Sequence, residues 1–167
     1  MIDKKIIFGI MLITILILGG GMFLLSQTTS TKPQNATLSQ NVKIEVPEKT
    51  FDWGEIKYSK GNATKTFVIK NIGSDLLKLY NVKTSCACTN ANLTIDNKVS
   101  PEFGMHTQSA WVGELPVGKE AILTVIFDPT FHGPTALGPM ERLISMQTND
   151  LSSPTLEFKL TGNVVKD

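Results

Sequence analysis

Cysteine, histidine and arginine are scarce in this sequence, and their scarcity limits the chemistry open to it. Among 167 residues there are two cysteines, two histidines and one arginine. The sequence contains no G-x-S-x-G elbow, no P-loop, no H-E-x-x-H helix and no dinucleotide-binding G-x-G-x-x-G. We therefore expect no conventional hydrolase, nucleotidase or dehydrogenase. Thiol–disulfide exchange is the one enzymatic alternative that the two cysteines leave open.

A basic surface is lacking as well. The formal net charge is +1, from 16 Lys and Arg residues against 15 Asp and Glu residues. Without residues 1–5 these totals become 14 and 14, because that segment holds two lysines and one aspartate. No basic stretch is interleaved with aromatic residues, so nucleic acid is not expected as a partner.

Long apolar runs are absent apart from one at the N-terminus. Residues 6–25 are uncharged, and as a helix rising 1.5 Å per residue they match the ~30 Å hydrocarbon core of a bilayer. No A-x-A-like cleavage site follows, which favours a transmembrane signal-anchor over a cleaved signal peptide. Two lysines precede the run and none follows before Lys32. The positive-inside rule therefore predicts a single-pass protein of the cell membrane, with residues 1–5 in the cytoplasm and the remainder on the extracytoplasmic side.

The rest of the chain divides into a polar linker and a β-rich domain. Residues 26–41 are rich in Ser, Thr, Gln and Asn, which is typical of a disordered linker. Residues 42–167 carry short runs of alternating apolar and polar residues separated by turn signals, and no sustained helical periodicity. The pattern predicts an all-β, antiparallel β-sandwich of about seven strands. The predicted strands are 42–46, 51–56, 65–71, 77–82, 121–127, 142–148 and 156–165.

Four short motifs in this domain resemble the DUF1573 family of bacterial exported or membrane-tethered domains. They are F-D-W-G-E-I at 51–56, F-V-I-K-N-I-G at 67–73, V-K-T-S-C-A-C-T at 82–89 and L-T-G-N-V at 160–164. The sequence differs from the family pattern at Ala87, where glycine is more usual. The resemblance implies an immunoglobulin-like sandwich, similar to the major sperm protein and ASPM–SPD-2–hydin domains, and it implies export. It implies no particular activity, because the family has no settled biochemistry.

The two cysteines, Cys86 and Cys88, directly follow the alternating run 77–82. On an extended strand both would lie on one face with Cα atoms roughly 6.6 Å apart, near the outer limit for a disulfide. Two thiolates on one face could instead hold a soft ion such as Cu(I), for which thiolate, thioether and imidazole are suitable ligands. The candidate metal ligands are Cys86, Cys88, Met105, His106 and His132. On this interpretation the protein is an extracytoplasmic binding module for copper or for a protein partner.

Other interpretations of the same residues stay open. The cysteines could form a disulfide or a thiol–disulfide redox pair, or they could be inert thiols in a structural or adhesion domain. Two long insertions, 96–114 and 128–141, each contain one histidine, and loops of this length are more often functional than idle. Arg142 is interpreted as a brace for the second insertion, through a carboxylate or backbone carbonyls.

Overall fold

The described residues of the N-terminal part do not form the long helix that the sequence predicts. The computed structural model describes residues 8–9, 11–17 and 36–167, and the chain divides into two compact units, Met1–Lys32 and Pro33–Asp167. In the first unit, residues 8–9 and 11–17 are helical.

No helix among the described residues is long and apolar enough to cross a membrane. This finding contradicts the predicted transmembrane helix over 6–25 and the single-pass localisation at the cell membrane that rested on it. Part of the predicted span, residues 6–7, 10 and 18–25, lies outside the described residues, as do residues 26–35 of the predicted linker. The end of that linker is described, and there Ser39 forms a parallel bridge with Asp150.

The second unit is a β-sandwich, which confirms the all-β prediction. Its ten strands are β1 (Ile44–Glu45), β2 (Thr50–Lys57), β3 (Ala63–Asn71), β4 (Leu77–Thr84), β5 (Thr89–Ile95), β6 (Lys98–Val99), β7 (Val112–Leu115), β8 (Glu120–Phe127), β9 (Gly138–Thr148) and β10 (Thr155–Val165). They form two five-stranded sheets, with strand orders β1-β3-β8-β5-β6 and β2-β10-β9-β4-β7. Every pair is antiparallel except β2 with β10, which is parallel.

Three strands of the sandwich, β5, β6 and β7, were not predicted from the sequence. In β5 the buried positions are held by Thr89, Ala91 and Leu93, so the polar and small side chains hide the period-two pattern. The other two strands have two and four residues, too few to show alternation. The additional strands fall after the cysteines and within the first insertion, and they complete both sheets.

The core lies between the sheets and follows the alternation of the long strands. Along β8 the buried side chains are those of Ala121, Leu123, Val125 and Phe127, and the residues between them are only half-buried. Phe67 of one sheet and Phe158 of the other meet across the core, with ring centroids 5.0 Å apart. At about 25 cal/mol per Å² of apolar surface removed from water, this interleaving is the main source of stability.

A bulge in β4 determines where that strand ends. Asn81 has a φ of 51°, and the pairing of β4 with β9 shifts register between Tyr80 and Lys83. Asn tolerates this left-handed conformation better than most residues, and its amide donates a hydrogen bond to Gln147 Oε1 at 2.6 Å. Val82 and Thr84 are buried after the bulge. The chain then leaves this sheet and enters the other at Thr89.

Candidate functional site

The two cysteines lie in the connection that carries the chain from one sheet to the other. The connection, residues 85–88, is closed by a hydrogen bond from Thr89 N to Cys86 O at 3.1 Å. Thr84 Oγ1 lies 3.0 Å from Cys86 O and 2.8 Å from Thr89 O, so its single proton serves these two carbonyls. Asp128 N donates to Cys88 O at 2.9 Å, which fixes the connection to the end of β8.

Cys86 and Cys88 are joined by a disulfide. The turn brings their Cα atoms to 5.2 Å, within the usual range and well below the ~6.6 Å expected for an extended strand. The extended geometry considered from the sequence does not occur, because the strand ends at Thr84. Cys86 is half-buried, whereas Cys88 is only 3% exposed. A molecule approaching from solvent therefore meets the sulfur of Cys86.

His132 is the histidine that the fold brings to the cysteines. Its Nε2 lies 3.4 Å from Cys86 Sγ, and the imidazole is exposed. The loop after β8 begins with a turn in which Asp128 Oδ1 accepts hydrogen bonds from Thr130 N at 2.8 Å and Thr130 Oγ1 at 2.7 Å. Gly133, with a φ of 80°, then reverses the chain directly after His132. The turn at the start of the second insertion therefore places the side chain of His132 beside the disulfide.

Arg142 reaches the other sulfur. It lies on β9, and its Nε donates a hydrogen bond to Cys88 Sγ at 3.1 Å, while Nη1 donates to Glu141 O at 2.6 Å. The guanidinium carbon is 5.2 Å from the centroid of the Phe127 ring. Burial lowers the pKa of Arg142 from its ordinary value, although an arginine remains a cation at neutral pH. Arg142 therefore donates to the carbonyl of Glu141, the last residue of the second insertion, and in addition contacts a sulfur atom that the sequence did not predict.

The other two predicted ligands lie in a different turn. Met105 and His106 are exposed between Gly104 and Thr107, where Gly104 N donates to Thr107 Oγ1 at 2.8 Å. A group of Cys86, Cys88 and His132 has one ligand atom from each residue, all within 4.8 Å of one another, and His106 does not belong to it. The structure thus brings together three of the five candidate ligands.

An apolar cluster encloses the protein side of the disulfide. Cys88 is buried together with Ile56, Phe127 and Val164. Trp53 packs against this cluster with its ring stacked on Phe127 at a centroid distance of 6.0 Å. The low polarity of this environment strengthens any interaction between the Arg142 cation and a negative charge on Cys88.

A protein-family model described as "Protein of unknown function (DUF1573)" matches residues 44–164, which is more than half of the chain. The chain belongs to the DUF1573 family. The resemblance seen in the four sequence motifs is therefore confirmed, and the matched range includes the cysteine connection and all the strands of the sandwich except the last residue of β10. No curated protein matches the sequence significantly.

Comparison with solved structures finds matches at low sequence identity. A crystal structure of a protein of unknown function from Porphyromonas gingivalis W83 is 20% identical, with a TM-score of 0.56, and the match covers 77% of this chain and 49% of that one. This DUF1573 chain thus spans about half the length of that protein. The ASH / PapD-like domain 7 of human CEP192 is 15% identical, with a TM-score of 0.46 and coverage of 84% and 96%. WR4, a C. elegans MSP family member, is 13% identical, with a TM-score of 0.42 and coverage of 76% and 100%. At such identities the likeness concerns the fold alone.

Proposed function

We propose that this DUF1573 domain is a thiol–disulfide exchange module, in which Cys86 and Cys88 cycle between a disulfide and a dithiol with the thiols of a partner protein. The observation that carries the proposal is the unlike surroundings of the two sulfurs. Cys86 is half-exposed beside His132, whereas Cys88 is buried beside Arg142. Reactive cysteines are typically partly exposed and near cationic groups, whereas structural ones are buried and inert.

His132 gives Cys86 a proton acceptor in the dithiol state. With Nε2 3.4 Å from Cys86 Sγ, the neutral imidazole can take the thiol proton and leave the nucleophilic thiolate. The imidazole is exposed and meets the ring of Phe131 edge-on at 5.1 Å, and Phe131 is itself 53% exposed. The reactive sulfur therefore lies on a surface that offers both a base and an apolar contact to a partner.

Exchange of this kind predicts that the single variant Cys88→Ser forms a stable mixed disulfide. With the full-length chain and oxidised glutathione, we expect one glutathione per chain on Cys86, because no second thiol remains to displace it. The Cys86→Ser variant should react at least about tenfold more slowly, because Cys88 is shielded. Intact-mass spectrometry over time measures both reactions.

The wild-type chain provides the companion measurement. In mixtures of reduced and oxidised glutathione, the pair is expected to pass reversibly between disulfide and dithiol, with little adduct retained. A pair that does not change oxidation state in any mixture would contradict the proposal, as would equal reactivity of the two single variants.

A second function, binding of a soft metal ion by the reduced pair, is favoured by a separate observation. The ligand atoms of Cys86, Cys88 and His132 lie within 4.8 Å of one another, and two thiolates with one imidazole suit Cu(I). Such binding requires the dithiol, because a disulfide offers no thiolate. Exchange is proposed first because the Arg142 cation opposes a metal ion at Cys88 and favours a free thiolate there.

Copper uptake by the reduced full-length chain tests this second function. After anaerobic exposure to Cu(I) and desalting, we expect about one copper per chain, lost in Cys86→Ser and reduced severalfold in His132→Ala. The His106→Ala variant is the matched comparison, because it removes the other histidine. Loss of copper with His106→Ala would support the wider set of five ligands, and a wild-type ratio near zero would remove the metal site altogether.

A further inference from the structure

Arg142 occupies an unusual position for a charged side chain. It is half-buried over Phe127, and within the described range 36–167 no carboxylate forms an ion pair with it. Its hydrogen bonds go to a backbone carbonyl and to Cys88 Sγ. Removing a cation from water without a nearby anion costs free energy, and burial accordingly lowers the pKa of this guanidinium. In the disulfide state Arg142 is therefore a half-buried cation without a paired anion in the described range.

Opening of the disulfide creates that anion at the atom that Arg142 already touches. We infer that Arg142 is a catalytic residue of disulfide exchange, in which it stabilises the Cys88 thiolate as leaving group and so directs attack to Cys86. This inference rests on the proposed exchange function. It is carried by the contact of 3.1 Å between Nε and Cys88 Sγ, because hydrogen bonds to ionised acceptors are about twice as strong as those between neutral groups.

The step balances as follows for a partner that carries two thiols. One partner thiolate attacks Cys86 Sγ, a bond forms between these sulfurs, the Cys86–Cys88 bond breaks, and its electron pair leaves on Cys88 Sγ. The second partner thiolate then attacks the partner sulfur of this mixed disulfide and displaces Cys86 as a thiolate. The partner has become a disulfide, the domain has gained two electrons, and solvent protons neutralise those thiolates that do not remain ionised.

Attack on Cys88, with Cys86 as the leaving thiolate, is disfavoured by the same surroundings. Cys88 is 3% exposed and enclosed by Ile56, Phe127 and Val164, so a partner sulfur cannot approach it in line with the disulfide bond. A thiolate that left on Cys86 would have the exposed imidazole of His132 and the backbone N–H of Cys88, which donates to Cys86 Sγ at 3.2 Å, beside it rather than a permanent cation. Burial therefore selects the attacked sulfur, and Arg142 is expected to determine how fast the other sulfur departs.

The test measures the rate at which thiols open the oxidised full-length chain. Samples treated with glutathione are quenched in acid, and the adduct is located by peptide mass spectrometry. We expect the adduct on Cys86 in every variant, and opening about tenfold slower in Arg142→Gln than in the wild type, because the leaving thiolate loses a charge-assisted hydrogen bond. Arg142→Lys, which keeps the charge but not the planar fork, should lie between them.

Two comparisons separate this role from simple attraction of an anion. Lys83→Gln removes an exposed cation on β4, three residues before Cys86, and should leave the rate unchanged. Anionic glutathione and cationic cysteamine are then compared as attacking thiols. Stabilisation of the leaving group predicts that Arg142→Gln slows both by the same factor, whereas electrostatic attraction predicts slowing of glutathione alone.

The possible outcomes distinguish failure of the inferred role of Arg142 from failure of the proposed exchange function. Opening of Arg142→Gln at the wild-type rate, slowing of glutathione alone, or an adduct on Cys88 would overturn the role of Arg142 while leaving exchange intact. Failure of the wild-type chain to be opened by any thiol would instead overturn the proposed function. If urea unfolding shows that Arg142→Gln is not folded, Arg142→Lys decides, since a rate equal to that of the wild type with both thiols would overturn the role of the hydrogen bond from Arg142 Nε to Cys88 Sγ.

Discussion

Replacement of Phe158 by alanine is expected to lower the free energy of unfolding by about 3–5 kcal/mol, the usual cost of removing a buried phenylalanine ring. Phe158 is fully buried on β10, between β2 and β9. Its ring meets that of Phe67 from the opposite sheet at a centroid distance of 5.0 Å. The substitution therefore leaves a cavity at the contact between the sheets, where rigid strands on both sides limit collapse.

The midpoint of urea unfolding, compared at unchanged slope, measures this loss. Phe131→Ala is the matched control, since it removes the same ring from a side chain that is 53% exposed, and a change below about 0.5 kcal/mol is expected there. Equal losses in the two variants would mean that the sheets are not held together through Phe158.

Asn71 is the second position where a large effect is expected. The side chain is fully buried at the end of β3, donates to Asp75 O at 2.8 Å and Leu115 O at 2.9 Å, and accepts from Gly73 N at 3.1 Å. Asn71→Ala leaves two carbonyls and one amide without these partners, the Leu115 carbonyl at a buried contact and the other two groups at part-buried ones. Because each costs about 1–3 kcal/mol, with part recovered by water, the expected loss of unfolding free energy is about 3 kcal/mol.

The Asn71→Asp variant keeps the shape of the side chain but removes its hydrogen-bond donors. Its stability therefore reports the loss of hydrogen bonding without a loss of packing. A carboxylate facing two carbonyl oxygens cannot donate to them, so at neutral pH we expect it to be more destabilising than alanine. Burial raises the pKa of such a carboxyl in the folded state above its value in the unfolded chain. The free energy of unfolding of Asn71→Asp therefore falls as pH rises between these two pKa values, and it recovers as pH falls. Urea unfolding at neutral and acid pH measures this, and a pH-independent difference between the two variants would contradict the proposed role of the amide donors.

The sequence predicts the sandwich where polar and apolar residues alternate clearly. Strands such as β8 and β10 have apolar residues at every buried position, and their predicted ranges were close to those observed. Strand β5 was missed because Thr89 and Ala91 point inward, and these side chains do not mark a buried face. The parallel pairing of β2 with β10 depends on long-range topology, which a local pattern does not contain.

The candidate site was predictable in its residues but not in its geometry. Cys86, Cys88 and His132 were recognised as soft ligands or redox groups from their chemistry, yet only the fold shows that His132 lies at the disulfide while His106 is in another turn. The contact of Arg142 follows from register, since Thr84 pairs with Ile144 and Ser85 N donates to Leu143 O, which places Arg142 beside the connection 85–88 that follows β4. A register between strands so far apart in sequence cannot be read from composition or spacing.

Because the two cysteines are so close in sequence, the stability of the domain depends little on whether their disulfide is formed. The cross-link joins residues with a sequence separation of 2. In the chain-entropy description, a cross-link stabilises the folded state by lowering the conformational entropy of the unfolded chain. This stabilisation is roughly 1.6 kcal/mol for a closed loop of about three residues, and about 3 kcal/mol for a loop of about 15 residues. On the proposed function, reduction of the pair would therefore cost the folded domain only this small stabilisation, and the sandwich would remain folded in both oxidation states.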